Sequence, residues 1–403
     1  MSEKIEDLLV LANARISGQQ AKKLIAHFGS VGDITRASIG ALGKAGVSEI
    51  TANVLRKPDR ANIDNAMSWR DEAGHHIVSI DSADYPHLLL QIPAAPLIIY
   101  VHGNRDALHL PALAIVGSRN PTRGGWQTAH DFAEHLGRAG FCILSGLAQG
   151  IDTAAHEGAL DGKATTVAFL GHGIDRIYPA ENRELAWRIA ASGALVTEYP
   201  PGCPPLRENF PARNRLISGC SMGTLVVEAA KRSGSLITAR LAGEQGREVF
   251  AIPGSIHNAM SRGCHQLIRQ GAKLVERADD IVSELGPIAE HMAETLAESA
   301  TEPMTRSDSG YLMQNGGTAS SAPNLSDDRD DDYKLLIETL GYDPATADEL
   351  VEKSGLTIDQ VSSMLLILEL EGEVQALHGG QYSLLGSSSS HERKRTRRTD
   401  VPV

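Results

Sequence analysis

Aromatic residues make up only 4% of this 403-residue chain, and cysteine occurs four times. Cys142, Cys203, Cys220 and Cys264 are widely spaced, with no CxxC and no Cys/His pairing at zinc spacing. That excludes a disulfide framework and fits small, unpaired residues in a reducing compartment. None of the 15 histidines sits in an HExxH arrangement, so no metal centre is expected. Apolar runs stay short of the ~20 residues that span a bilayer, which argues against a membrane partner. The N-terminal MSEKIEDLLVL lacks a signal-peptide h-region, and a cytoplasmic protein is expected. There is no GxxxxGK(S/T), because GALDGKAT has the wrong spacing, and GHGIDR lacks the third glycine of a dinucleotide fingerprint. No ATP, NAD or other cofactor is implied.

What is present begins with acidity, a formal net charge of −12. Taken whole, it argues against a general electrostatic clamp for DNA or an anionic membrane. Divided by segment, the charge tells a different story. Residues 1–111 sum to −1 and 112–286 to +1, whereas 287–332 sum to −8, 333–385 to −7 and 386–403 to +3. The stretch 287–332 is poor in aliphatics and rich in Ser, Gly and acid, and reads as an acidic disordered linker. The tail 386–403, SSSSHERKRTRRTDVPV after one glycine, reads as a basic disordered segment, either simply solvated or a weak phosphate-binding arm.

Three ordered units are expected. Residues 1–75 show helical periodicity with Gly-containing turns, a helix-hairpin-helix (SAM-like) domain or a purely structural helical cap. Beyond them, HIVSIDSADYPHLLLQIPAAPLIIYVHGN alternates short strands with Pro turns on the approach to a sheet. Residues 333–385 read as helix, helix-turn-helix and hairpin, the winged-helix pattern. Its second helix, within SGLTIDQVSSMLLILELEG, has no Lys or Arg, so protein contact suits it better than DNA reading. Between them, 76–286 forms the core. From 112 on, apolar strands alternate with amphipathic helices: LAIVG (113–117), FCILSG (141–146), TTVAFLG (165–171), ALVTE (194–198), TLVVEA (224–229), EVFAIPG (248–254) and KLVE (273–276). The fold class is α/β, a Rossmann-like, doubly wound, mostly parallel sheet.

Ligands of such sheets bind at the carboxyl ends of the strands. Those ends read Gly117-Ser118-Arg119, Ser145-Gly146, Gly171-His172-Gly173, Ser233-Gly234-Ser235 and Pro253-Gly254. Gly and Ser let backbone N–H groups approach an anion, and five such ends on one edge suggest a phosphate-binding rim. Arg119, Lys231 and the segment LRENFPARNR add charge, the last supplying Arg207, Arg213 and Arg215 around Phe210 and Asn214. Cations interleaved with an aromatic suit single-stranded nucleic acid, the cations tracking phosphates and the ring stacking a base. Arg213 or Arg215 could instead pair internally with Glu228 or Glu198, and at least one of them is expected to do so. Phe210 could equally be core. Asp152 and His156, four apart on one helix face, could form a base and its orienter, although capping and a structural hydrogen bond are the commoner roles.

Seven motifs in order, AIVGSRNPTRGG, ILSGLAQGIDTAAHEGAL, VAFLGHGIDRIYPAEN, LVTEYPPG, ENFPARNRLISG, VVEAAKRSGSLITAR and REVFAIPGSIHNAMSRGCHQLIRQGAKLVE, resemble the DNA-processing protein A (DprA/Smf) family over roughly 112–276. The resemblance implies a non-enzymatic single-stranded DNA binder in natural transformation and recombination. Such a protein protects incoming strands, loads the RecA recombinase, displaces single-strand-binding protein and works as a homodimer through its Rossmann-like domain. It implies a DNA pocket using Arg119 and Arg207, with Phe210 at a base. Asn214, Arg215, Lys231, Ser233, Gly234 and Ser235 complete the rim. Two departures stand out: Arg207 where the family commonly has Lys, and TRGG where it often has an aromatic before the glycine. A second reading is a phosphoribohydrolase-like enzyme with Glu228 as the catalytic group, although Cys220-Ser221-Met222 replaces the expected Gly-Gly. A third is a protein-interaction scaffold.

Overall fold

The apolar strands bury both faces, and the period-2 alternation of a strand sorts their side chains between two helical layers. In Ala112–Gly117, Ala112, Ala114 and Val116 pack with Leu216, Ile217, Ala239 and Cys264. Leu113 and Ile115 point the other way, to Ala129, Ala133, Leu136, Ile151 and Ala155. The computed structural model describes residues 2–301, 335–337, 339–340, 345–371, 374–377 and 380–384. The chain divides into two compact units, Met1–Thr318 and Ala319–Val403.

The first unit is built on a nine-stranded sheet. Its strands are β1 (His75–Ser79), β2 (Ile98–Gly103), β3 (Ala112–Gly117), β4 (Cys142–Ser145), β5 (Thr166–Phe169), β6 (Ala194–Thr197), β7 (Gly223–Val227), β8 (Glu248–Ala251) and β9 (Lys273–Leu274). The order across the sheet is β1-β2-β6-β5-β4-β3-β7-β8-β9. β1 and β2 run antiparallel at one edge, and the seven from β6 to β9 are parallel to one another. From β3 the chain winds outward through β4, β5 and β6, then returns to place β7 on β3's other side. The reversal between β3 and β7 is the topological switch point, where doubly wound sheets open a crevice. All seven strands read from the sequence are present.

Six helices between Ser2 and Arg70 precede the sheet. Five are started by a side chain accepting a backbone N–H, from Ser17, Ser30, Ser38, Ser48 and Asp59. Their apolar stripe, with Leu9, Leu24, Ile34, Leu42 and Ile63, shares one core with Tyr100 and Leu195 of the sheet and with Leu170 and Ile174 of the loop after β5. The helical segment is therefore seated on the β2–β6–β5 side of the core.

At the other end, the helix Ala278–Thr301 runs through Pro287 well into the stretch read as an unstructured linker. The segment IAEHMAETLAESA carries Ala, Glu, Met and Leu, all strong helix formers, which composition by charge and aliphatic content overlooks. The remainder of that stretch, 302–332, and the basic tail 386–403 lie outside the described residues.

In the second unit, helices Ala347–Ser354 and Ile358–Glu371 precede a hairpin of β11 (Val374–Leu377) and β12 (Gln381–Leu384), with β10 (Ala345–Thr346) pairing on β12. Thr346 and Glu349 form a reciprocal capping box. Leu336, Leu350, Leu356, Val361, Leu365 and Tyr382 make a separate core, a winged-helix arrangement.

Candidate nucleic-acid interface

The end of β3 is pinned from both sides. Ser118 donates its N–H to the Glu228 carbonyl at 2.8 Å, and its own carbonyl accepts from Ile151 N–H at 3.0 Å. A Cβ on Gly117 would lie 2.0 Å from the Val227 carbonyl oxygen, and one on Gly150 2.4 Å from that of Ser118. Gly150 also has φ +83°, so glycine is required there twice over. The Ser118 hydroxyl accepts from Asn120 N–H at 3.0 Å. Arg119 leaves this clamped turn exposed to solvent.

The helix Asn209–Gly219 lies across the ends of β4 and β5. Its anchor is Arg213, only 3% exposed, whose guanidinium donates to the Gly146 carbonyl at 2.7 Å and to that of Phe169. Burial pulls the Arg213 pKa down to about 10, opposed by the nearby Asp152 charge and reinforced by that of Arg119. Asp152 accepts from Gly146 N–H at 3.1 Å and Ala148 N–H at 3.3 Å, and burial raises its pKa. Three residues before Arg213, the half-buried Phe210 ring covers Gly171, where a Cβ would come within 3.0 Å of it. Its centroid is 5.6 Å from the ring of Tyr178, which is 51% exposed. Arg207, just before the helix, is exposed.

The residues named in the sequence therefore divide. Arg119, Arg207 and Lys231 are exposed and enter no ion pair among the described residues. Gly234 is open to solvent, and Asn214 is half-buried. Ser233 caps the helix Gly234–Glu244, accepting from Ser235 N–H at 3.3 Å and sharing a 2.7 Å bond with its hydroxyl. Four others are engaged within the fold, one of them in the internal pair expected of Arg213 or Arg215. Arg213 is a buried brace. Arg215 is held by Glu198 through two bonds of 2.7 and 2.6 Å, so its charge is already matched. The Ser145 hydroxyl is fully buried on the Ile115 carbonyl at 2.7 Å, and Gly146 is buried beneath Arg213.

Tyr178 and Trp126 escaped the sequence reading. Both are aromatics next to strand-end motifs in a chain that has few, and that scarcity was the available signal.

The catalytic candidates are engaged elsewhere. His156 Nδ1 lies 2.7 Å from the Thr166 hydroxyl, so Asp152 and His156 do not pair. The Glu228 carboxylate accepts from Thr122 N–H at 2.7 Å and its hydroxyl at 2.6 Å, beside a cavity of about 230 Å³ that also meets Asn258, Ser255 and Cys264.

His156 supplies a pH prediction. Complete burial, with help from Arg213, lowers its pKa from 6.5 to about 3. Below pH ~6.5 the unfolded chain binds a proton that the native ring refuses, so stability is full above that value and falls on acidification. The loss is about 1.4 kcal/mol per pH unit through the range down to about 3. Urea unfolding from pH 7 to 4 should show a shallower decline in His156→Asn; an identical slope would remove His156 as its source.

A family model described as DNA recombination-mediator protein A matches residues 76–286, and one described as the DprA winged helix domain matches 320–380. The chain is 40% identical to Protein Smf of Escherichia coli over 326 residues, covering 81% of this chain and 82% of that protein. It is 46% identical over 200 residues to DNA processing protein DprA of Streptococcus pneumoniae, 50% of this chain and 71% of that one. The X-ray structure of DNA processing protein A from Streptococcus pneumoniae superposes with a TM-score of 0.62 at 36% identity, covering 70% of this chain and 98% of that chain.

Proposed function

The chain belongs to the DNA recombination-mediator protein A (DprA/Smf) family, and from that premise we propose that it binds single-stranded DNA at the carboxyl ends of β3, β4 and β5. The observation that carries the reading is the pairing of exposed Arg119 and Arg207 with a two-ring surface, Phe210 against Tyr178. The cations hold phosphates and the rings stack bases, which only an unpaired strand presents freely. Lys231, Asn214 and the Ser233–Ser235 turn extend the rim. The protein acts by binding rather than catalysis, a reading supported by the structural roles of Asp152, His156 and Glu228. Its place is transformation and recombination in the cytoplasm, as a homodimer through the Rossmann-like core. There it protects strands, displaces single-strand-binding protein and loads RecA. The winged helix, acidic and without cations on its second helix, contacts protein.

Titrating single-stranded against duplex oligonucleotides across a salt series tests this. Single strands should bind far more tightly, with log Kd rising steeply with log salt. In the same series Phe210→Ala should cost about 1–3 kcal/mol and leave the salt slope nearly unchanged. Equal affinity for duplex, or release of a free base from a nucleotide that Glu228→Gln abolishes, would reverse the reading.

A further inference from the structure

Past Arg119 the surface continues into a groove of about 640 Å³, lined by Arg119, Asn120, Thr122, Arg123, Trp126 and Gln127. Its size is that of a small-ligand site. Arg119 to Gln127 form its wall, leading from the end of β3 into the helix Arg123–Arg138, and Gly150 completes the lining. Arg119 and Arg123 are both exposed. Trp126 is held in place: its indole stacks on His130 with centroids 5.4 Å apart and planes at 21°. His130 is in turn fixed by Asp161 at 3.0 Å. Thr122 is clamped by Glu228, so the wall between the two arginines is also anchored. Two nearby carboxylates already have partners, Glu228 on Thr122 and Asp131 on the Gln127 amide at 2.7 Å.

A fixed aromatic beside two open guanidiniums offers a base a stacking surface and a phosphate two cations, at little ordering cost. We propose that the groove receives one further nucleotide of the bound strand, its base on Trp126 and its phosphate between Arg119 and Arg123. The proposal rests on the single-strand reading of the rim and extends the strand's path from Phe210 and Tyr178, past Arg119, to the start of the helix Arg123–Arg138.

The test uses the full chain and oligothymidylates lengthened one nucleotide at a time, followed by fluorescence anisotropy. Wild-type affinity should climb with length through a step that Trp126→Ala and Arg123→Ala lose, each binding long strands about tenfold more weakly. The shortest strands that still bind should not distinguish the variants from wild type. Trp126→Phe should keep most of the step. An abasic site scanned along the strand should weaken wild-type binding about tenfold at a position that stays sensitive in Phe210→Ala. That scan needs no change at Trp126, so it decides the matter even if Trp126→Ala fails to fold. Wild-type binding with no length step and no sensitive abasic position other than the one lost in Phe210→Ala overturns the groove and leaves the rim intact. No single-strand binding by the wild type overturns the rim reading, and the groove falls with it.

Discussion

Arg119→Glu combined with Arg207→Glu is expected to weaken single-strand binding by two to four orders of magnitude. Each charge-assisted contact to phosphate contributes about 1.5–3 kcal/mol, and tenfold in affinity corresponds to about 1.4 kcal/mol. Reversing the charges adds repulsion to the loss. Two fewer phosphate contacts should also flatten the dependence of log affinity on log salt by about 1.4, at ~0.7 per contact for a single strand. Both side chains are exposed, so the thermal midpoint should stay where it is. A gel-shift titration with an unchanged Kd and slope would place the strand elsewhere. Deleting 287–403 is the complementary measurement: if binding vanished with it, the central sheet would not be the DNA-binding surface.

Arg213→Ala should do the reverse, costing stability first. The guanidinium is buried on two carbonyls and next to Asp152, and removing it leaves all three without their cation. Breaking such a buried arrangement costs about 3–5 kcal/mol. For a unit of this size that lowers the melting temperature by roughly 10 °C. Asp152→Asn added to Arg213→Ala should recover part of the loss by removing the uncompensated carboxylate, a coupling that a double-mutant cycle in urea would measure. A melting temperature equal to wild type, with weakened DNA binding, would return Arg213 to the rim.

These two variants mark the boundary of what could be read in advance. Arginines 119, 207, 213 and 215 all enter the rim in the sequence, with an internal partner expected for at least one of 213 and 215, yet a signal telling which was present. Arg213 falls on the same stripe as Leu216, Ile217 and Cys220, at the i, i+3, i+4, i+7 spacing of a helix face turned to a core. That stripe places Arg213 inward, with Phe210 one turn before it. Nothing comparable marked Arg215. Its partner Glu198 lies 17 residues earlier, after a different strand, and was one of two acids that seemed equally suitable. The helix through 287–301 was likewise visible in its Ala, Glu, Met and Leu content, but the net charge of the longer stretch concealed it.

Charge illustrates the same limit. The total of −12 pointed away from nucleic acid, and only its division along the chain exposed a near-neutral centre beside an acidic C-terminal third.

By itself the sequence determined the α/β class, the parallel strands and their carboxyl-end loops, because burial on both faces imposes an apolar run that local spacing reveals. The tertiary structure alone decided which charges remain open. That depends on contacts between residues far apart in the chain, such as Arg213 on Gly146 at a separation of 67. It also brought Tyr178 against Phe210, and Trp126 into a groove with Arg119. Side chains from different loops meet only once the sheet has set the loops side by side, and no local periodicity encodes that meeting.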